Sequence, residues 1–272
     1  MEHLFSYTFF QHAIIGSLFA SILCGLVGTY IVSKRLVFIS GGITHASFGG
    51  VGLGVYFGFS PTLSATLFSI LSACGIQWFS HKKNMREDSA IAIFWTLGMS
   101  IGLICSFLTP GFTPELSTFL FGNILSITHT DLVFLGILSL FAIIFFTLFL
   151  RPLISTAFDP EFARSQGLPV AWIEYLMISF IALTIVSCLR LVGIMLVISL
   201  LTIPQVTANL FTKQFKGIAI WSIPIGFIGC MGGLLLSYYK NIPSGASIIF
   251  TSIGLYLICK AISLIFNPLR KQ

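Results

Sequence analysis

Most of the chemistry this sequence offers rests on one imidazole. His45 lies in the run Arg35-Leu-Val-Phe-Ile-Ser-Gly-Gly-Ile-Thr-His-Ala-Ser-Phe-Gly-Gly50, an otherwise apolar, glycine-rich stretch. An ionisable side chain at membrane depth is expensive and marks a pathway or a binding site. Arg35 is expected at one membrane surface and His45 follows ten residues later. At about 1.5 Å per residue the ring sits roughly 15 Å in, near the middle of a hydrocarbon layer about 30 Å thick. Neutral imidazole is a common ligand for transition metals. The residues alone leave two readings open: a metal ligand, or a ring hydrogen-bonded to a backbone carbonyl or a Ser/Thr hydroxyl on a neighbouring helix.

Other reactive groups are sparse. The eight acidic residues (Glu2, Glu87, Asp88, Glu115, Asp131, Asp159, Glu161 and Glu174) fall in links or at segment ends, so no carboxylate pair is expected at mid-membrane. HExxH and the phosphate loop GxxxxGK[ST] are absent, which argues against a zinc hydrolase of that type and against ATP hydrolysis by this chain through that loop. The six cysteines are scattered singly, without metal-ligand or redox spacing, and read as small buried thiols. His3, His12 and His129 are expected toward the outer surface and His81 beside an inner basic cluster. The glycines around His45 do not form GxGxxG, and they sit in an apolar span rather than a strand–turn–helix, so a dinucleotide site is excluded.

The elements that must position His45 are membrane helices. Of 272 residues, 56% are hydrophobic and 8% charged, with a mean hydropathy of +1.02. A soluble domain carries about 25% charged residues, so too few polar side chains remain here to cover a water-facing surface. Apolar windows fall at about 11–33, 36–58, 61–80, 89–109, 131–150, 171–189, 191–210, 217–238 and 244–266, each near the roughly 20 residues needed to span. The sixth and seventh touch at Arg190, and one of them is expected to be short or re-entrant. The expected fold is therefore all-α: a polytopic membrane protein of eight or nine transmembrane helices in a single domain over 1–272. The net charge of +6 does not imply nucleic acid, because the basic residues cluster in short links and form no continuous groove.

Those links set the orientation. Twelve of the 14 Lys and Arg residues (Lys34, Arg35, Lys82, Lys83, Arg86, Arg151, Arg164, Lys213, Lys216, Lys260, Arg270 and Lys271) belong to one alternate set, leaving Arg190 and Lys240 to the other. By the positive-inside rule the N-terminus faces out and the C-terminus lies in the cytoplasm. The N-terminus lacks a basic n-region, so the first apolar segment is expected to remain as a helix. The outer link 110–130 suits a short surface helix over its apolar Phe119–Ile127 stretch. In the inner link 151–170, Asp159 is an N-cap, Pro160 the first helical residue and Gly167 a stop. This predicts a polar helix of about two turns on the cytoplasmic face.

Two further patterns carry structural expectations. Gly42, Ala46, Gly50, Gly54 and Gly58 recur at every fourth position, a small-residue stripe for close helix packing. Pro204 removes a backbone donor and frees the carbonyl of Leu200. The polar residues Thr202, Gln205, Thr207 and Asn209 beside it fit either a kinked, pathway-lining helix or a capped helix end.

Several separated blocks resemble the permease subunits of ATP-binding-cassette importers for zinc, manganese and iron. The 35–50 run resembles that family's second-helix signature, and Leu120-Phe-Gly-Asn-Ile-Leu-Ser-Ile its outer-loop block. Phe158-Asp-Pro-Glu-Phe-Ala-Arg-Ser-Gln-Gly is similar to the cytoplasmic segment that contacts the ATPase. Val192-Gly-Ile-Met-Leu-Val-Ile-Ser-Leu-Leu-Thr-Ile-Pro-Gln-Val-Thr-Ala and Pro243-Ser-Gly-Ala-Ser extend the likeness. The resemblance implies inward transport of a divalent metal by alternating access in a bacterial plasma membrane. It also implies no permanently bound cofactor, ATP used by a cytoplasmic ATPase dimer, an external metal-binding protein and a second permease copy as a homodimer among the membrane lipid. Asp159, Glu161, Ala163 and Gly167 then belong to the ATPase-coupling helix, and His45 is a pathway ligand. The family commonly places Asp four residues before that His; here the position is Gly41. Asn123 and Gln205 are the candidates to compensate. The alternatives are a permease for metal chelates such as siderophores, and a membrane scaffold without transport.

Overall fold

The computed structural model describes residues 7–82, 85–109 and 127–266. Among them are eleven helices and no strand. They are α1 (Thr8–Ser33), α2 (Val37–Phe57), α3 (Pro61–Lys82), α4 (Glu87–Leu108), α5 (His129–Leu148), α6 (Leu150–Phe158), α7 (Pro160–Ser165), α8 (Val170–Leu200), α9 (Ile203–Ala208), α10 (Phe215–Lys240) and α11 (Ser244–Phe266). The chain is a polytopic all-α membrane protein. Among the described residues, seven stretches are long and apolar enough to cross a membrane: α1, α3 over Pro61–Ser80, α4, α5, α8 over Val170–Leu189, α10 and α11 over Ser244–Ile265. α2 has the length, 21 residues, but six glycines together with Ser, Thr and His dilute its hydropathy. The remaining apolar stretch, Val192–Ala208, is shorter, as expected for one of the two windows that meet at Arg190.

The helices form two compact units. One contains residues 1–34, 121–150 and 191–272, and the other residues 35–120 and 151–190. In the first, α1 packs against α10, α5 and α9, while α9 also packs on α10 and α11. In the second, α2 is packed on both α3 and α4. Within α8 the chain passes from one unit to the other between residues 190 and 191; just beyond, Gly193 is not helical, with φ 75° and ψ 168°, a conformation only glycine adopts at little cost.

The caps follow from the local sequence. Arg86 precedes α4, whose first turn holds Glu87 and Asp88, where negative charge complements the helix dipole. Thr128 and Asp131 form a reciprocal capping box at α5. Asp159 accepts from the Phe162 amide at 2.9 Å with Pro160 in the first turn of α7, and Gly167 follows with φ +77°. The sequence did not announce α6, which precedes this short helix.

The small-residue stripe divides between two neighbours. A Cβ on Gly50 would lie 2.6 Å from Ala65 Cα, and one on Gly54 2.9 Å from Pro61 Cα, both on α3. On the α4 side a Cβ on Gly42 would lie 2.6 Å from Ile91 Cγ2, and one on Gly98 2.5 Å from Ala46 Cα. Gly58 departs from the packing expectation. It caps α2 with φ 73°, and none of the described residues comes within 4 Å of where its Cβ would point. Its role is the left-handed turn that ends the helix.

Overpacking a tight core costs about 1–3 kcal/mol, and at Gly50 and Gly98 the nearest contacts are backbone, which cannot swing aside. Gly50→Val and Gly98→Val should each lower the midpoint of thermal unfolding in detergent. Gly254→Ala, where a Cβ meets nothing within 4 Å, should be neutral or gain up to about 1 kcal/mol of helix propensity.

Candidate functional site

His45 projects from α2 onto α4, where its ring stacks on Trp95 with centroids 4.1 Å apart and planes 10° from parallel. Trp95 shares a face with Ile91, Gly98 and Gly102, at intervals of four, three and four residues. The glycines let the two backbones approach, because a Cβ on Gly52 would lie 2.7 Å from Gly102 Cα and one on Gly49 2.7 Å from the Gly98 carbonyl oxygen. The stack is thus set by the same close approach that packs the helices. Offset aromatic pairs contribute about 0.5–1.5 kcal/mol beyond area burial.

The ring's polar atoms are not satisfied in the way an ordinary buried histidine requires. Nδ1 is buried with no hydrogen-bond partner among the described residues. Nearby hydroxyls are committed to their own helix: Ser40 donates to Val37 O at 2.7 Å, Thr44 to Ser40 O at 2.5 Å and Ser47 to Thr44 O at 2.6 Å. Of the two sequence readings, the hydrogen-bonded ring is not what the described residues show. An unpaired buried nitrogen costs free energy that a ligand or water would recover. Gly41, one turn earlier on α2, is buried and offers no side-chain ligand. Among the described residues, no three His, Cys, Asp or Glu side chains cluster where they could hold a metal.

Gln205 is fully buried in the other unit, and its amide has a structural occupation. Nε2 donates to the Cys24 carbonyl at 2.6 Å and to the Leu200 carbonyl at 3.2 Å. The second of these is the carbonyl that Pro204 deprives of its usual donor. Pro204 does not kink a continuous helix. α8 ends at Leu200, α9 starts at Ile203, and Pro204 stands in its first turn, where a missing N–H costs nothing. Ser222 donates to the adjacent Gly25 carbonyl at 3.2 Å, so two consecutive α1 carbonyls receive side-chain donors. Gly28 permits this, since a Cβ there would meet Gln205 Nε2 at 2.5 Å. Gln205 Oε1 has no partner among the described residues, leaving that oxygen alone to act as a ligand.

The proposed coupling residues lie together on and around α7. Asp159 and Glu161 are exposed, Ala163 is fully buried, and Gly167 lets the Leu168 amide return to the Ala163 carbonyl at 3.1 Å. Phe158 and Phe162 are exposed beside them. Asn123 lies outside the described residues. Trp95, which sequence reasoning missed, had a signal: the Gly98-Met-Ser-Ile-Gly102 spacing marks the face of α4 that meets α2, and Trp95 stands one turn before it.

Comparison with known proteins places this arrangement. Residues 6–263 match the ABC 3 transport family. The chain is 38% identical over 261 residues to the uncharacterized membrane protein slr2045 of Synechocystis sp., covering 96% of this chain and 93% of that one. It is 32% identical over 268 residues to the manganese transport system membrane protein MntC of Halalkalibacterium halodurans, covering 98% and 90%. Among solved structures it is similar to PsaBC from Streptococcus pneumoniae in complex with Fab, with a TM-score of 0.84 at 28% identity over 95% of this chain and 93% of that one.

Replacing Gln205 tests the structural account of that side chain. Gln205→Leu strands the Leu200 carbonyl in a buried site and should cost about 1–3 kcal/mol, read as a lower unfolding midpoint in detergent. Ser222→Ala removes a donor from a carbonyl that Thr29 also bonds at 2.7 Å, so its loss should be smaller.

Proposed function

The chain belongs to the ABC 3 transport family, and we propose that it is the membrane-spanning permease of an importer that carries a divalent transition metal inward by alternating access. The observation that carries this reading is the buried, unpaired nitrogen of His45 in the interior of α2. A group with that unmet need, inside a family of transporters, suits a cargo that arrives and leaves. A manganese transport system membrane protein is among the chain's relatives, and imidazole also accepts zinc readily. Manganese and zinc are therefore the candidate cargoes.

In this reading the two units form a single permease domain over 1–272 in a bacterial plasma membrane, N-terminus out and C-terminus in. The chain performs no chemistry of its own. ATP is hydrolysed by a cytoplasmic ATPase dimer that docks on α7, with Asp159 capping that helix, Ala163 seating it, and exposed Glu161 and Phe162 beside the docking surface. A second copy of the chain completes the translocation path, and an external protein delivers the metal. His45 is the waypoint. Trp95 holds its ring plane in the place of the carboxylate that Gly41 does not supply.

Reconstitution with its ATPase in vesicles tests the proposal, with manganese, zinc, iron and chelated iron competing for uptake. Manganese or zinc should be accumulated on ATP addition; preference for the chelate would overturn the cargo assignment. His45→Ala should abolish metal-dependent growth rescue while protein abundance is unchanged, and wild-type rescue would remove His45 from the path. Trp95→Ala should raise KM for the metal by about tenfold with little change in maximal rate, as expected for lost preorganised binding, whereas Trp95→Phe should restore it.

A further inference from the structure

A pair of histidines stands at the opposite end of α1 from Lys34. α1 and α5 run parallel in the same unit, with Gly16 against Leu132 and Gly136 against Phe19. That register offsets the helices by 116 to 117 residues, which brings His12 level with the start of α5, where His129 is the first helical residue. Both histidines line one cavity of about 520 Å³, together with Gln11. Further along the cavity the walls are apolar, among them Ile15 and Leu140.

His12 is prepared in the way that metal-ligating histidines are. Its Nδ1 lies 3.1 Å from the Ile127 carbonyl oxygen. A carbonyl only accepts, so Nδ1 carries the proton and Nε2 keeps its lone pair. Holding one ring nitrogen on a backbone carbonyl fixes the tautomer and the ring orientation, so that the other nitrogen can serve as a ligand.

We infer that His12 and His129, bordered by Gln11, form a labile binding site for a divalent transition metal. Two imidazoles leave most of a metal's coordination shell to water, so the site captures without trapping. A transport pathway needs that balance, because each stop must be favourable enough to enter and weak enough to leave. In the orientation proposed above, on which this step rests, the site lies at the outer face and receives the metal before it reaches His45.

The test is direct binding to the full-length protein in detergent, by titration with zinc and with manganese. His12→Gln with His129→Gln should lose one class of site or weaken it at least about tenfold, while His45→Ala retains it. His129→Gln alone leaves the His12–Ile127 bond in place and guards against a folding defect; it should weaken zinc binding with an unchanged unfolding midpoint. In reconstituted uptake the double variant should raise KM with maximal rate within about twofold. Wild-type zinc isotherms in both variants would overturn the site. So would native mass spectrometry showing that the double variant loses a co-purifying phospholipid but no metal, since the cavity would then belong to lipid. The binding arm does not depend on transport: a chain that binds zinc through His12 and His129 but accumulates no metal would sink the importer reading and leave this site standing.

Discussion

Everything at the candidate site depends on how closely α2 approaches its two neighbours. Between apolar helices in lipid, association rests on dispersion and on interhelical polar contacts rather than on expulsion of water. Dispersion falls off within an ångström of contact, so small residues at the seam decide whether the helices hold. α2 presents Gly50 and Gly54 to α3, and Gly42, Ala46, Gly49 and Gly52 to α4. Much of that contact is with the backbones of the two neighbours, at Ala65 and Pro61 on α3 and at Gly98 and Gly102 on α4. Backbone contacts have few alternative arrangements, and a side chain projecting from such a helix inherits that rigidity. His45 needs no hydrogen bond to be held, because its ring lies against an indole whose own helix is fixed by Gly98 and Gly102.

This shows why the site was only partly legible in the sequence. The depth of His45 and the spacing of the glycines along α2 are one-dimensional patterns, and helical periodicity converts them directly into a face. The caps around α7 read out for the same reason, since Asp159, Pro160 and Gly167 act within a few residues of themselves. Trp95 is different. It meets His45 only because α4 crosses α2 at Gly98, and no local rule states which helix will cross. The stripe was also overextended by one step: Gly58 has the right spacing but lies past the last turn, where the chain needs a positive φ instead of a neighbour. Asn123 lies outside the described residues.

Gln205 illustrates a second limit. Read as a polar residue near a proline, it suggests a pathway; seen in its surroundings, its amide supports the chain break. Proline frees a carbonyl in a medium with no water to satisfy it, and the residue after Pro204 supplies the donor. The late apolar window is accordingly interrupted twice, at Gly193 and at residues 201–202, and each interruption has its own chemical permission: a glycine for the first, a glutamine amide for the second. A single-sequence reading sees the polar residues but cannot divide them between scaffold and site, because both uses select the same side chains.

Gly41 then connects packing with chemistry. A carboxylate there would lie one turn from His45 on a helix whose neighbouring positions are buried. Without a metal, such a charge would be desolvated at a cost of several kcal/mol. With a metal it would bind strongly and release slowly. Glycine avoids both consequences: only one imidazole nitrogen is left unpaired, a cost of about 1–3 kcal/mol. The oxygen ligand it forgoes is the one a hard cation would value most, while imidazole serves borderline metals. In the pathway role proposed for His45, a single nitrogen held in plane by an aromatic face would favour brief binding over tight binding, which suits passage through the membrane better than storage within it.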